Sequence, residues 1–125
     1  MSDGQRILLA DDDPDIRALV RYRLQKAGYE VIDAGDGQTA LTLAQEHHPD
    51  LAVLDVMMPG MDGFQVTAAL RADSKTASIP VILLTARVHA ADVERGFAAG
   101  ADDYIRKPFS PQELLLRVQR AVGRR

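Results

Sequence analysis

Five polar residues stand at the ends of apolar runs. Asp11 and Asp12 follow Ile7-Leu-Leu-Ala10, Asp55 ends Leu51-Ala-Val-Leu-Asp55, Thr85 follows Val81-Ile-Leu-Leu84, and Lys107 lies two residues beyond Ile105. Three carboxylates, a hydroxyl and an ammonium invite a common purpose if the chain gathers them. Two unit charges 4 Å apart repel by about 4 kcal/mol at an effective dielectric of 20. A cluster of Asp11, Asp12 and Asp55 therefore calls for positive charge between them. Lys107 supplies part of it, and an all-oxygen, partly hydrated donor set suits Mg²⁺ for the rest.

The elements that must position these residues follow from the same runs. Short apolar stretches bounded by turn signals fit strands buried on both faces, as in a parallel sheet. Between them lie helical patterns. Asp13 as N-cap, Pro14 at the first helical position and Gly28 past the end bracket one, with Ile16, Leu19, Val20 and Leu24 as its inward stripe. This punctuation gives Asp13 a structural task and leaves Asp11 and Asp12 without one. Tyr29–Ala34, interrupted by Glu30 and Asp33, reads as an edge strand. Asp36-Gly37 opens a second helix with Ala40, Leu41 and Ala44 inward. His47 and His48 close it as solvated helix-end residues, because neighbours on a helix point to different sides.

Asp62 starts a third helix around Phe64 to Ala72. A weaker helix, Ala90 to Ala99, is expected to turn Val93 and Phe97 inward; a strand follows over Ala101–Ile105. The segment Ser110-Pro-Gln-Glu113 is a capping box for the last helix, which turns Leu114, Leu115, Val118 and Val122 inward. Five strand–helix units in succession imply an α/β fold with a parallel sheet between helices. The most apolar strands belong in the centre, which favours the order 2-1-3-4-5, with all five polar residues along one edge. This is a doubly wound, flavodoxin-like (βα)5 arrangement, read as one domain over residues 1–125.

Composition narrows the classes. The chain has 125 residues, 46% apolar and 26% charged, enough for one ordinary core. A net charge of -3 argues against a broad nucleic-acid footprint on this segment. Without cysteine there is no disulfide framework, thiolate metal site or Cys nucleophile. Met1–Arg6 has no signal-peptide core, and no apolar run approaches the roughly 20 residues of a membrane span, so a cytoplasmic setting is expected.

The stretches Ile7-Leu-Leu-Ala-Asp11-Asp12, Leu54-Asp55-Val-Met-Met-Pro59-Gly60-Met-Asp62-Gly63, Leu84-Thr85-Ala86 and Lys107-Pro108-Phe109 together resemble the receiver domains of two-component response regulators. The resemblance covers essentially the whole chain. It implies a phosphorylation-activated switch in which Asp55 accepts a phosphoryl group from a phosphohistidine on a sensor histidine kinase or phosphotransfer protein. Such a domain promotes its own phosphorylation and dephosphorylation without being a conventional enzyme. The resemblance further implies Mg²⁺ held by Asp12 directly, by Asp11 mainly through water, and by Asp55 and the Met57 backbone carbonyl. Lys107 and Thr85 would meet the phosphoryl oxygens, and Lys107-Pro108 matches the family's cis peptide.

Thr85 and Tyr104 would be the switch pair, acting on the face made by the Ala90–Ala99 helix, the last strand and the last helix. Gly100-Ala-Asp-Asp-Tyr104 and Leu-Arg117-Val look like the winged-helix, OmpR/PhoB-type subfamily, whose active dimers use charge pairs on this face. Here Arg95, Asp102, Asp103, Arg117 and Arg120 are the candidates, and a DNA-binding output domain outside this chain is the implied partner. Gly123-Arg124-Arg125 could begin a linker to it. Met57 and Arg87 occupy positions that tune water access to the phosphoryl group. The start of the first helix with Pro108 and Phe109 would dock the kinase, and Arg17 and Arg21 could steer an acidic partner.

Two other functions compete. A phosphatase of the haloacid dehalogenase type also uses a strand-end Asp with Mg²⁺, but it needs a second acid two residues on, where Met57 stands. A pseudo-receiver working without phosphorylation needs a gap in the acidic pair, acceptor or lysine, and none is missing.

Overall fold

The computed structural model describes residues 5–86 and 90–123. Ten elements alternate: β1 (Arg6–Ala10), α1 (Pro14–Lys26), β2 (Glu30–Ala34), α2 (Gly37–His47), β3 (Leu51–Asp55), α3 (Gly63–Ala72), β4 (Val81–Thr85), α4 (Ala90–Ala99), β5 (Asp103–Arg106) and α5 (Pro111–Gly123). The strands form one parallel sheet in the order β2-β1-β3-β4-β5.

Side-chain alternation splits each strand between two cores. Leu8, Leu54 and Leu83 face α2 and α3 residues such as Ala40, Val66 and Leu70, whereas Leu9, Val53 and Leu84 face Leu24 of α1 and Leu114 and Val118 of α5. Every residue of β3 and β4 is buried, which is why both read as unbroken apolar runs. β2 lies at the sheet edge with Glu30 exposed.

Local signals place the helices. The Asp13 carboxylate accepts from the Asp15 and Ile16 amides, with Pro14 at the first helical position, and Gly28 beyond the end has φ 100°. Asp36 caps α2, which ends at His48 in the left-handed region. Both His47 and His48 are exposed. Asp62 and Gln65 form a reciprocal capping box at α3, so Asp62 serves the helix. At α5 the Ser110 hydroxyl accepts from the Glu113 amide at 3.1 Å, while the Glu113 carboxylate turns to Arg117 at 3.5 Å.

Three expectations are corrected. Phe97 is 49% exposed rather than inward, and Gly96 is the buried residue of α4. The helix lies so close to the sheet that a Cβ on Gly96 would sit 3.0 Å from Leu83 and 3.2 Å from the Tyr104 ring, which leaves Phe97 on the outer side. Leu19 is 53% exposed, so the inward stripe of α1 narrows to Val20 and Leu24 with Ile16 partly covered. The last strand starts later than expected, at Asp103, because Gly100 at φ 110° turns the chain and the Asp102 amide bonds to the Val81 carbonyl first.

Candidate functional site

The C-terminal ends of β1, β3, β4 and β5 converge as the strand order requires. Asp11 is fully buried, Asp55 is 4% exposed and Thr85 1%, whereas Asp12 is exposed. Carboxylate oxygens of Asp11, Asp12 and Asp55 lie within 4.8 Å of one another. Between two of them sits the Lys107 ammonium, 2.8 Å from Asp11 and 3.1 Å from Asp55. Its main chain is fixed too: the Lys107 amide donates to the Thr85 carbonyl at 2.6 Å, and the Lys107-Pro108 peptide is cis.

Asp11 is held on every side. Its amide donates to the Ala34 carbonyl at 3.2 Å, and its carboxylate accepts from the Asp13 amide at 3.0 Å and from Lys107. The loop after Asp55 is packed through glycines. A Cβ on Gly63 would lie 2.6 Å from the Asp55 carbonyl oxygen, and one on Gly37 would lie 2.0 Å from that of Met61. Only a bare backbone lets α2 and α3 close onto β3 and the loop that follows it.

Burial, then the charge of Asp11, raises the Asp55 carboxyl to about 6, against the opposing pull of Lys107. Burial also disfavours the Lys107 ammonium, but its bond to Asp11 and the charges of Asp55 and Asp11 outweigh this and lift its pKa. One cation thus leaves three carboxylates undercompensated. The hard, all-oxygen donor set and this excess of negative charge fit Mg²⁺.

Beside the cluster, Ile16, Leu19, Val20, Ala86, Pro108 and Phe109 line an apolar cleft of about 330 Å³ that reaches Lys107. Met57, two residues after Asp55, is 53% exposed; Arg87 lies outside the described residues.

The family model for the response regulator receiver domain matches residues 7–119. The chain belongs to this family. It is 51% identical over 120 residues to the DNA-binding dual master transcriptional regulator RpaA of Synechocystis, covering 96% of this chain and 49% of that protein. It is 45% identical to the DNA-binding response regulator MtrA of Mycolicibacterium smegmatis, covering 96% and 51%. The receiver thus spans about half the length of these relatives. Among solved structures, the Vibrio cholerae chemotaxis protein CheY4 superposes with a TM-score of 0.89 at 39% identity, covering 94% of this chain and 98% of that one. The receiver domain of the Pseudomonas aeruginosa sensor histidine kinase PA1611, which has a magnesium ion coordinated in its active site cleft, superposes with a TM-score of 0.89 at 35% identity, covering 96% and 98%. This receiver therefore belongs to two-component signalling, with the fold and strand order its sequence implies.

Of the expected surface charges of the receiver, Arg95, Asp102, Asp103 and Arg117 are engaged within the chain, while Arg120 is exposed. Asp103 pairs with Arg117 at 2.6 Å. Asp102 accepts from Arg71 at 2.9 Å and from the Val81 amide at 2.8 Å. Arg95 stands 4.5 Å above the Phe64 ring and 3.9 Å from Asp62. Arg17 and Arg21, the candidate steering charges, pair with Asp33 at 3.1 and 3.4 Å.

Tyr104 is half-buried against the core under α4, its ring 6.5 Å from that of Phe97. Sequence reasoning missed Arg71, whose guanidinium also donates to the carbonyls of Gly100, Ala77 and Ile79. Its partners lie 6 to 31 residues away, and no local pattern announces them.

Proposed function

We propose that this receiver is phosphorylated on Asp55 by a histidine kinase or phosphotransfer protein and passes the signal to the α4–β5–α5 face. The observation that carries this reading is Lys107 bridging two of three converging carboxylates at the sheet edge, with Thr85 buried on the adjoining strand.

Asp12, Asp11, Asp55 and the Met57 carbonyl would hold Mg²⁺, which when bound supplies positive charge to the phosphoryl oxygens. An oxygen of ionised Asp55 attacks the phosphorus. The phosphorus–nitrogen bond to the donor imidazole breaks, and its electron pair stays on that nitrogen, which takes up a proton. Lys107, anchored on Asp11, stays beside the incoming group and offsets its charge. The Thr85 hydroxyl donates to a phosphoryl oxygen, and Tyr104 follows inward beneath α4. Apolar, exposed Met57 cannot orient an attacking water, which favours a long-lived phosphoryl group.

The kinase docks on the cleft beside α1 and Phe109, where exposed Leu19 offers an apolar contact. As a single receiver domain, the chain serves in the cytoplasm as the input part of a regulator whose output binds DNA, as the relatives' names suggest. Among the described residues, no helix is long and apolar enough to cross a membrane. Exposed Phe97 and Leu116 favour association of two phosphorylated copies through α4–β5–α5. Arg95, Asp102, Asp103 and Arg117 would then exchange partners within the chain for partners across the contact.

Intact mass after incubation with Mg²⁺ and acetyl phosphate tests the chemistry. A single phosphoryl adduct, absent from Asp55→Asn and in excess chelator, is expected. An unmodified wild-type chain would overturn the reading.

A further inference from the structure

Arg17 touches the acidic site without belonging to its charge cluster. From the first turns of α1 its guanidinium donates to the backbone carbonyl of Asp11 at 2.8 Å and, through Nε, to the Asp33 carboxylate of β2 at 3.1 Å. Gly35 makes room for this reach, since a Cβ there would lie 3.0 Å from the same guanidinium nitrogen that bonds Asp11. The arginine is thus strapped between two strand ends, and the group it grips is the peptide joining Asp11 to Asp12.

That peptide matters because the two acids are held so differently. The Asp11 carboxylate is fixed by the Asp13 amide and by Lys107. Asp12 is exposed, and among the described residues no hydrogen bond or ion pair holds its carboxylate. The direction in which Asp12 leaves the main chain is therefore set by the plane of the Asp11–Asp12 peptide. Arg17 is the side chain that fixes this plane, and Asp33 fixes Arg17.

We infer that Arg17 is a positioning residue for cation loading: through the Asp11 carbonyl it aims Asp12 at the site, and Asp33 of the edge strand tethers it. Removing an outer partner of a metal ligand typically costs 10- to 100-fold in affinity. The inference rests on the Mg²⁺ reading above, so wild type is titrated alongside.

The test is calorimetric titration of the unphosphorylated protein with Mg²⁺ for wild type, Arg17→Met, Arg17→Lys and Asp33→Asn, with urea unfolding in chelator to verify that each variant folds. Arg17→Met should bind Mg²⁺ about tenfold more weakly. Arg17→Lys should recover part of the loss, because an ammonium can reach one partner but not fork to both. Asp33→Asn, which leaves Arg17 in place, should weaken binding in the same direction, and the double variant Arg17→Met with Asp33→Asn, titrated in the same way, should bind little more weakly than Arg17→Met alone. At saturating Mg²⁺, phosphorylation of Arg17→Met by acetyl phosphate should return to within roughly twofold of wild type, as expected when only loading is impaired. Wild-type Mg²⁺ affinity in folded Arg17→Met, or a rate that saturating Mg²⁺ fails to restore, would overturn the inference. A wild-type chain that binds no Mg²⁺ would instead bring down the metal reading on which it stands.

Discussion

Lys107 lies closer to Asp11, at 2.8 Å, than to Asp55, at 3.1 Å. The firmer contact is with Asp11, not with the proposed acceptor Asp55. Asp11 has no exposure and is bonded at its amide, carbonyl and carboxylate, so it is a fixed anchor. In the proposed reaction the lysine would exchange its contact with Asp55 for one with the phosphoryl group while Asp11 keeps it in place. Asp55 itself is a buried, undercompensated carboxylate.

That imbalance has a pH signature. The folded-state pKa of Asp55 is raised from 3.8 to about 6, so the folded protein binds the proton more tightly than the unfolded chain. The associated stability is present below about 4 and is lost as pH rises through about 6. In chelator at pH 7.5, Asp55→Asn should therefore be more stable than wild type by about 1–2 kcal/mol, with the gap shrinking on acidification toward pH 4. Urea midpoints across that window measure it; a pH-independent difference would contradict the assignment.

Cation removal should separate the two neighbouring acids. Mg²⁺ at a hundred times its dissociation constant should add about 2.7 kcal/mol to wild-type stability. Asp12→Ala should abolish that gain yet leave metal-free stability near wild type, because its carboxylate holds no structural partner. Asp11→Ala should cost about 2 kcal/mol even without metal, since it takes the firmer of two carboxylate partners from Lys107 and leaves the Asp13 amide without its acceptor. Thermal melts with and without Mg²⁺ distinguish the cases.

Gly63→Ala should be harmful out of proportion to its size. The new methyl would meet the Asp55 carbonyl oxygen at 2.6 Å, and that atom is main chain, not a side chain that can swing away. A loss of about 2 kcal/mol is expected, within the range for overpacked sites. Slower phosphorylation should accompany it, because α3 and the acceptor strand would be pushed apart. Unfolding curves and adduct formation over time report both.

Arg71 should prove more important than its surface charge suggests. It donates to the carbonyls of Gly100, Ala77 and Ile79 and pairs with Asp102. Arg71→Ala should cost about 2–3 kcal/mol, and Arg71→Lys should recover little of it, because an ammonium cannot reach the same fork of acceptors. Native-state hydrogen exchange should show faster opening at the amides of Gly100, Ala101 and Ile79.

Much of this organisation was legible because burial on both sheet faces leaves a plain trace. Leu51–Leu54 and Val81–Leu84 have little but apolar side chains to offer, so a polar residue at the strand end stands out as Asp55 and Thr85 do. Caps at Asp13, Asp36 and Asp62 act over three residues and read equally well. Phe97 misled because helical spacing gives a face only to within a residue, and Gly96, which carries no hydrophobic signal, took the inward place. The pairings of Arg17 with Asp33 and Arg71 with Asp102 span 16 and 31 residues. They depend on strand order and register, which charge patterning alone does not encode.

The slight inward commitment of α4 has a consequence for how such a domain diversifies. Gly96 is the buried residue of that helix, and its other described positions are partly or fully exposed. Its outer sequence can therefore drift with little penalty to the two cores, while the strands that carry Asp55 and Thr85 have almost no such latitude. Substitutions on this outer face should leave the packing around Asp55 and Thr85 nearly unchanged.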